Sequence, residues 1–377
     1  MMEIIQNLRK LAKFSAGGMP VISIYLDAQW RDQHQRERVS TFLARHLRQA
    51  QASEMDSDTA RQSLQSDLAR IGQWGEHLLR RDLELSTPGM ALFACRAADL
   101  WLELPSPLAF EDEFVIADRP ALRQLARLDE DYTNALVVLV DSRAARICEV
   151  VLGGFLSETD FANDVPGRHK QGGWAQMRYQ RHVKDHMDRH HKEVADYLAS
   201  YLAARPQTSI ILSGQEAIVS NFRHFLSPAV QRQILDESRL DIRESQTRIL
   251  EAAQEILQRH EREEELETVQ RLLNRAGHGK LAVLGMQATV AAANAERIHL
   301  LVMHHDLRQE GWRCCDCNRL GEAMPPQCPS CGGRVVTVEL GEALVSRVLQ
   351  VDGFVEQIAP DARLAVYEGV GALLRYH

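Results

Sequence analysis

The sequence predicts a mixed α/β protein of three domains, and three observations support this prediction. The chain has 377 residues, and at roughly 100–200 residues per domain this length corresponds to two or three domains. Short β-branched and aromatic runs alternate with longer segments whose apolar residues recur at helical spacing. Breaks in the pattern fall near residue 131 and at Gly277-His278-Gly279. We therefore expect domains at residues 1–130, 131–276 and 277–377.

The first domain combines short strands with long helices. The expected elements are a helix at 3–14, a strand at 21–27, helices at 31–52 and 59–83, and strands at 90–95, 101–104 and 114–117. Its sequence contains no nucleotide-binding glycine loop and no catalytic constellation. The pattern therefore predicts a mixed α/β domain without chemistry of its own.

The middle domain is predicted to have a protruding glycine loop followed by a long helix. Ala135 to Asp141 is a continuous apolar run, which is typical of a strand buried on both faces. The other expected elements are an antiparallel strand at 146–152, a helix at 174–204, a strand at 209–214, and helices at 215–235 and 245–275. We expect the later, glutamate-rich part of the last helix to be a solvated face.

The third domain is predicted to be an α/β sandwich with a cysteine-rich insert. The expected elements are a helix at 281–297, a strand at 298–303, the insert at 312–334, a strand at 335–340, a helix at 342–351, and terminal strands around 354 and 373–376. The insert therefore interrupts an otherwise regular α/β pattern.

The composition is that of a globular protein, with 45% hydrophobic and 25% charged residues. The sequence has no run of about 18 apolar residues, which argues against a transmembrane helix. The N-terminus lacks the basic and then apolar pattern of a secretory signal. We therefore expect a cytoplasmic protein without a membrane partner. Cys95 and Cys148 stand in apolar, strand-like runs and are predicted to be buried core residues.

The other five cysteines fall between residues 314 and 331 and include two Cys-x-x-Cys pairs. Each pair can present two thiolates to one ion, and four thiolates suit tetrahedral Zn²⁺. The predicted ligands are Cys314, Cys317, Cys328 and Cys331, and Cys315 is the spare cysteine. Because no ligand position is left open, we expect a structural zinc ribbon rather than a catalytic centre. The alternative is a reduced cysteine cluster without metal.

A basic, glycine-containing stretch at residues 167–181 leads into the long helix of the middle domain. The chain has a net charge of -8, but residues 166–192 contain seven Lys or Arg, two Asp and five His, a local balance of +5 without the histidines. Gly172 and Gly173 permit positive φ and a close approach to another molecule. Flanking cations suit contact with phosphates. The predicted RNA-binding residues are Arg168, His169, Lys170, Arg178, Arg181 and Lys184.

Three histidines in this helix are spaced four residues apart and share one face. They are His182, His186 and His190. Such spacing can bind Zn²⁺, with Asp185 or His191 as an additional ligand. The interpretation we favour is a partly cationic stripe that faces RNA.

Residues 167–173, with Arg-Tyr-Gln-Arg at 178–181, resemble the Gly-Gly-Gln loop and the following helix of archaeal and eukaryotic class-I peptide chain release factors. The resemblance continues in chain order in strands near 21–26, 89–94 and 135–141, in the cysteine insert, and in the ending at 369–376. The chain is therefore identified as similar to bacterial relatives of these factors, in the superfamily that also contains Pelota.

The resemblance implies a factor that inserts its loop into the peptidyl transferase centre of a stalled ribosome and hydrolyses peptidyl-tRNA. The implied catalytic residues are Gly172, Gly173, Trp174 and Gln176. The implied partners are the ribosome, the acceptor end of tRNA and a translational GTPase that docks on the third domain. The sequence near residues 50–62 lacks a decoding motif, so stop-codon reading is not expected.

One departure from the family pattern leaves alternatives open, because Trp174 stands where the family has glutamine. The backbone N–H of Trp174 could stabilise an oxyanion, or its ring could stack on the terminal adenosine of tRNA. The alternative functions are cleavage of tRNA near its 3′ end and non-catalytic ribosome binding. A plain surface loop followed by a solvated helix is the remaining interpretation.

Overall fold

The computed structural model has the mixed α/β fold that the sequence predicts, with several β-sheets packed against helices. The structure describes residues 2–28, 33–52, 57–80, 88–106, 108–130, 134–151, 154–162, 174–206, 208–279 and 281–376. The chain forms two compact units, one of Tyr132–His260 and one that combines Met1–Asp131 with Glu261–His377. The division into three domains stays a prediction. Within the described ranges, no helix combines the length and apolar character needed to cross a bilayer.

The N-terminal part of the larger unit is an antiparallel sheet with helices on its faces. Its elements are α1 (Met2–Lys13), β1 (Val21–Asp27), α2 (Gln33–Gln51), α3 (Asp58–Arg80), β2 (Gly89–Cys95), β3 (Leu100–Ser106), β4 (Glu113–Ala117) and α4 (Arg123–Glu130). The strand order is β3-β2-β1-β4. Side chains alternate along β1, so Ile22 and Ile24 pack against α2 and α3 while Tyr25 packs in a second core on the other face.

The smaller unit is built on a five-stranded sheet of order β7-β6-β5-β8-β9. Its elements are β5 (Asn134–Val140), β6 (Ala144–Val151), β7 (Gly154–Ala162), α5 (Trp174–Ala204), β8 (Ser209–Ser213), α6 (Glu216–Arg223), α7 (Pro228–Gln231), β9 (Ile234–Ser238) and the first half of α8 (Gln246–Gly277). Leu136 and Val138 of β5 pack in one core with α5, and Val137 packs in another with α8. This packing confirms a central strand buried on both faces.

The C-terminal part of the larger unit holds a four-stranded and a three-stranded sheet. Its elements are β10 (Ala282–Leu284), α9 (Met286–Asn294), β11 (Ile298–His304), β12 (Glu310–Cys314), β13 (Leu320–Gly321), β14 (Val335–Glu339), α10 (Leu340–Gln350), β15 (Phe354–Ile358), α11 (Ala362–Ala365) and β16 (Val370–Leu374). The strand orders are β10-β16-β11-β15 and β13-β12-β14. The second sheet carries the cysteines.

The predicted helix at 215–235 is wrong, because the structure divides this segment into α6, α7 and the strand β9. Proline lacks a backbone N–H and is tolerated at the start of a helix but not inside one. Pro228 therefore opens α7, and the side chain of Ser227 caps it by accepting a hydrogen bond from the backbone N–H of Val230. β9 then pairs in parallel with β8.

The predicted helix at 281–297 is also wrong at its beginning. Residues 282–284 form β10, which pairs with β16, and the helix starts only at Met286. Gly285 separates the two elements at φ 83, a left-handed conformation that glycine adopts without strain. The elements β7 and α4 are among those not predicted, because the middle of β7, Ser157 to Asp160, is polar and lies at a sheet edge, and α4 is short.

Arg123 is a buried hydrogen-bonding centre of the larger unit. Its side chain is 9% exposed and its guanidinium lies 3.5 Å from the Glu339 carboxylate. It donates hydrogen bonds to Gln357 Oε1 at 3.3 Å, Leu307 O at 2.6 Å, His304 O at 3.2 Å and His305 O at 2.6 Å. One side chain therefore satisfies three backbone carbonyls at the end of β11 and just beyond it.

We expect Arg123→Met to destabilise the larger unit by about 3 kcal/mol, because buried carbonyls and a carboxylate would lose their donor. Urea unfolding measures this change. Arg80→Met is the matched control, since the side chain of Arg80 is 77% exposed. Equal stability of the two variants would contradict the assigned role of Arg123.

Candidate functional site

The predicted loop falls in the part of the chain that the structure leaves undescribed. Arg168, His169, Lys170, Gly172 and Gly173 all lie within residues 163–173. Their roles in RNA binding and catalysis therefore stay predictions. The flanking elements are β7, which ends at Ala162, and α5, which begins at Trp174.

The helix α5 spans Trp174–Ala204 and confirms the predicted helix at 174–204. Trp174 and Gln176 lie in its first turn. Because they are two positions apart, they are rotated by about 200° relative to each other around the helix axis. Arg178 and Arg181 follow along the same helix, and Lys184 is exposed. The first backbone N–H groups of a helix have no acceptor within it, and they carry the positive end of the helix dipole.

The predicted RNA-facing histidine stripe is wrong at His190, which is only 1% exposed. The C-terminal half of α5 packs onto the sheet through Val194 and Leu198, and this packing turns the same face inward. His191 is fully buried as well. Among the described residues, the groups of side chains that could hold a metal include no histidine.

His191 is held as a neutral imidazole in the core of the smaller unit. Its Nε2 lies 3.3 Å from Asp141 O, and its Nδ1 lies 3.3 Å from the Asn221 side-chain nitrogen. Phe222 and Phe225 contact the ring edge-on. Burial lowers the pKa of His191 below its ordinary value of 6.5, although the hydrogen bond to Asp141 opposes this shift.

We expect the smaller unit to lose stability as the pH falls below 6.5. Above this value both states are neutral at His191, whereas below it the unfolded chain binds the proton more readily than the folded one. Thermal unfolding between about pH 5 and pH 8 measures the slope. His191→Gln should flatten it and the exposed His224→Gln should not. An unchanged slope in His191→Gln would refute this assignment.

The four predicted metal ligands come together at one end of the three-stranded sheet. The sulfur atoms of Cys314, Cys317, Cys328 and Cys331 all lie within 4.8 Å of one another. The distance is 3.4 Å from Cys314 Sγ to Cys331 Sγ and 3.6 Å from Cys317 Sγ to Cys328 Sγ. Tetrahedral coordination with metal–sulfur bonds of about 2.3 Å needs sulfurs about 3.8 Å apart. The four thiols are therefore arranged to hold one metal ion.

Two tight turns present these sulfurs. In the first, the Asn318 backbone N–H donates to Cys314 O at 3.1 Å, and Asn318 has φ 58. In the second, the Gly332 N–H donates to Cys328 O at 2.9 Å, and Gly332 has φ 74. A Cβ on the neighbouring Gly333 would lie 1.9 Å from Asp316 Oδ2. Gly332 therefore suits the left-handed conformation of this turn, and Gly333 leaves room for the Asp316 side chain.

The electrostatics of the cluster favour a cation. Burial raises the pKa of the Cys328 thiol, but the backbone N–H groups of Ser330 and Cys331 outweigh it and lower the pKa to about 7. The Gly333 N–H acts in the same direction on Cys331, yet the neighbouring thiols raise its pKa to about 12. Four sulfurs this close cannot all be thiolates unless a cation neutralises them.

Cys315 stays outside the cluster, as the sequence predicts, and its backbone N–H donates to Arg334 O at 2.9 Å. Cys95 and Cys148 are fully buried, which confirms their assignment to the core. Burial also raises the pKa of the Cys148 thiol to about 12.

Side chains that sequence reasoning missed fix the cysteine module to its surroundings. The Arg313 guanidinium is paired with the Asp118 carboxylate and donates to Asn318 Oδ1 at 3.1 Å. The Asn294 side chain on α9 donates to Leu320 O at 2.9 Å and accepts from the Leu320 N–H at 2.8 Å. No short-range pattern could have found these pairs, because Arg313 and Asp118 are 195 residues apart in sequence.

Residues 120–258 match the family model described as bacterial archaeo-eukaryotic release factor family 10. The match covers the smaller unit almost completely, including the predicted loop and α5. It confirms the resemblance to bacterial relatives of archaeo-eukaryotic release factors that the sequence predicts. No curated protein matched the chain.

Three solved structures illustrate what the chain is similar to. An archaeal translation termination factor, aRF1, is 16% identical, with 100% of this chain and 98% of that chain covered and a TM-score of 0.27. Archaeal Pelota, in a ribosome-bound assembly with ABCE1, is 13% identical over 99% and 94%, with a TM-score of 0.40. Dom34 of S. cerevisiae is a translation termination-like factor of RNA quality control that interacts with Hbs1. It is 12% identical over 73% of both chains, with a TM-score of 0.39.

Proposed function

We propose that the protein is a ribosome-associated release or rescue factor that hydrolyses peptidyl-tRNA on stalled ribosomes. The observation that supports this most directly is the family match at residues 120–258, which includes the predicted loop. In this proposal the loop with Gly172 and Gly173 enters the peptidyl transferase centre of a cytoplasmic ribosome. Arg168, His169 and Lys170 contact tRNA phosphates, and Arg178, Arg181 and Lys184 extend the basic track along α5.

The start of α5 at Trp174 supports a backbone role for this residue. A helix N-terminus offers unsatisfied N–H groups and partial positive charge, which suit an oxyanion. The Trp174 N–H would stabilise the tetrahedral intermediate of ester hydrolysis, and the glycines would let the ester approach it. Gln176 would then lie about 200° around the helix axis from Trp174.

The metal in this proposal is Zn²⁺, and its role is structural. Four cysteine sulfurs complete a tetrahedral shell and leave no position for water or substrate. Zn²⁺ would hold β12, β13 and β14 together and neutralise the crowded thiolates. The part of the chain that contains this module is also the surface where a translational GTPase would dock.

Trp174 in place of glutamine favours a second candidate function, which is cleavage of tRNA near its 3′ end. A tryptophan ring can stack on an unpaired base and hold the acceptor end for cleavage. A third candidate, ribosome binding without chemistry, would retain the basic track and lose the reaction. One experiment separates the three functions.

Ribosomes stalled with end-labelled peptidyl-tRNA are incubated with the purified protein, and both the peptide and the tRNA 3′ end are resolved on gels. Free peptide with full-length tRNA is the expected result. Peptide that still carries a short nucleotide stub would establish RNA cleavage instead. Binding without either product would establish a non-catalytic factor, and no co-sedimentation with ribosomes would overturn all three functions.

A further inference from the structure

A cavity of about 490 Å³ lies in the larger unit beside the cysteine module. The loop after α1, the end of β4 and the segment after it, the sheet β12–β14 and α10 form its walls. A volume of this size is typical of sites for small-molecule ligands. Part of the cavity lining is apolar and includes Val115, Val336 and Ala343.

The cavity lining is also rich in guanidinium groups. Arg119 and Arg313 both donate to Asn318 Oδ1, at 2.9 Å and 3.1 Å, so their cationic heads are close neighbours. Arg347 also lines the cavity, where its Nη2 donates to the Glu296 carboxylate at 2.9 Å and its Nε is buried without a hydrogen-bond partner among the described residues. Burial and the nearby Arg313 lower the pKa of Arg119, because the two cations lie close together in a partly desolvated environment.

The carboxylates that line the cavity already form ion pairs or accept hydrogen bonds from other groups of the protein. Asp118 is paired with Arg313. Glu339 caps α10 by accepting from the Gly341 and Glu342 backbone N–H groups. Glu342 accepts from the Leu122 N–H at 2.5 Å and the Arg123 N–H at 3.1 Å. The site therefore keeps spare donors and few spare acceptors, which is the electrostatic character of a receptor for an anion.

We infer that this cavity binds a small phosphate monoester whose apolar or aromatic body lies against Val115, Val336 and Ala343. The planar guanidinium of Arg119 can bind two phosphate oxygens, and the positive charges of Arg313 and Arg347 nearby also favour an anion. The inference goes beyond the ribosomal role and does not depend on it, because it rests on residues of the larger unit alone.

Calorimetric titration of the full chain with AMP, adenosine and inorganic phosphate tests the inference. AMP should bind saturably at one site, and adenosine should bind at least tenfold more weakly because it lacks the charged head. Arg119→Gln should weaken AMP by about tenfold or more. Arg80→Gln, whose side chain is 77% exposed, should change nothing.

A second variant separates loss of the site from loss of folding. Val336 lines the cavity and is paired with Arg313 across the sheet, so its side chain lies on the same face, and Val336→Tyr should fill the space and abolish AMP binding. Absence of saturable AMP binding to the wild-type protein would overturn the inference. So would AMP binding that survives both variants, or an Arg119-dependent affinity for single-stranded RNA without affinity for AMP.

Discussion

Replacing Cys331 with serine is expected to abolish zinc binding and unfold the cysteine module. The four sulfurs lie within 4.8 Å of one another, and removing one thiolate leaves three ligands and an incomplete shell. Structural zinc contributes on the order of 10 kcal/mol to the folding of small modules in general. β13 contains only two residues, so apart from the contacts of Leu320 with Asn294 and of Asn318 with Arg119 and Arg313, the turn between the cysteine pairs should depend on the metal.

The chain supplies its own control for this experiment. Cys315 is adjacent to Cys314 but does not belong to the cluster, so Cys315→Ser should retain one zinc per chain and wild-type stability. Elemental analysis measures the metal, and thermal unfolding with and without a chelator measures its contribution to stability. Equal zinc content in Cys331→Ser and wild type would show that the cluster does not need this ligand. Equal loss in Cys315→Ser would show that the control thiol also binds.

The loss of zinc should also affect residues outside the cysteine module. Arg313 on β12 is paired with Asp118, and Asn318 accepts from Arg119, so the metal-bound turn holds part of the wall of the arginine-lined cavity. Chelation should therefore also weaken AMP binding if both assignments are correct. A chelated protein that keeps its AMP affinity would show that the cavity is formed without the metal.

The sequence predicts the cysteine cluster well because the information for it is local. Cys-x-x-Cys pairs and the adjacent glycines specify two turns within 18 residues, and the structure places those sulfurs together. β5 is predictable for a similar reason, since an uninterrupted apolar run is typical of a strand between two layers. The mixed α/β class follows from such runs alternating with helical patterns.

The missed features depend on partners that are distant in sequence. Residues 282–284 have the same apolar character as the helix that follows, and only pairing with β16 makes them a strand. His190 follows a helical stripe shared with His182 and His186, but packing of α5 on its sheet buries it. The arginines of the cavity stand nearly 200 residues from some of their partners, as with the 199 residues between Arg119 and Asn318. Periodicity carries no information about such contacts.

The second large effect is expected from Gly173→Ala, which should slow peptide release by about 100-fold, since a displacement near 1 Å at a reacting centre can have that effect. Glycine permits conformations closed to alanine, and in the proposed mechanism it would let the ester come close to the Trp174 N–H. Ribosome binding should be unchanged, because the basic residues along α5 are intact. Single-turnover release from stalled ribosomes measures the rate. Gly277→Ala, where an added Cβ meets nothing within 4 Å, is the matched control.

Substitutions at the two neighbouring positions then separate backbone from side-chain chemistry. If the Trp174 N–H stabilises the oxyanion, Trp174→Gln should release peptide within a few-fold of wild type, because both residues present the same backbone group. Gln176→Ala should likewise have little effect. A loss in Trp174→Gln as large as that in Gly173→Ala would assign the chemistry to the indole, and a loss confined to Gln176→Ala would assign it to that amide. Full activity in Gly173→Ala would remove the glycine loop from the mechanism altogether.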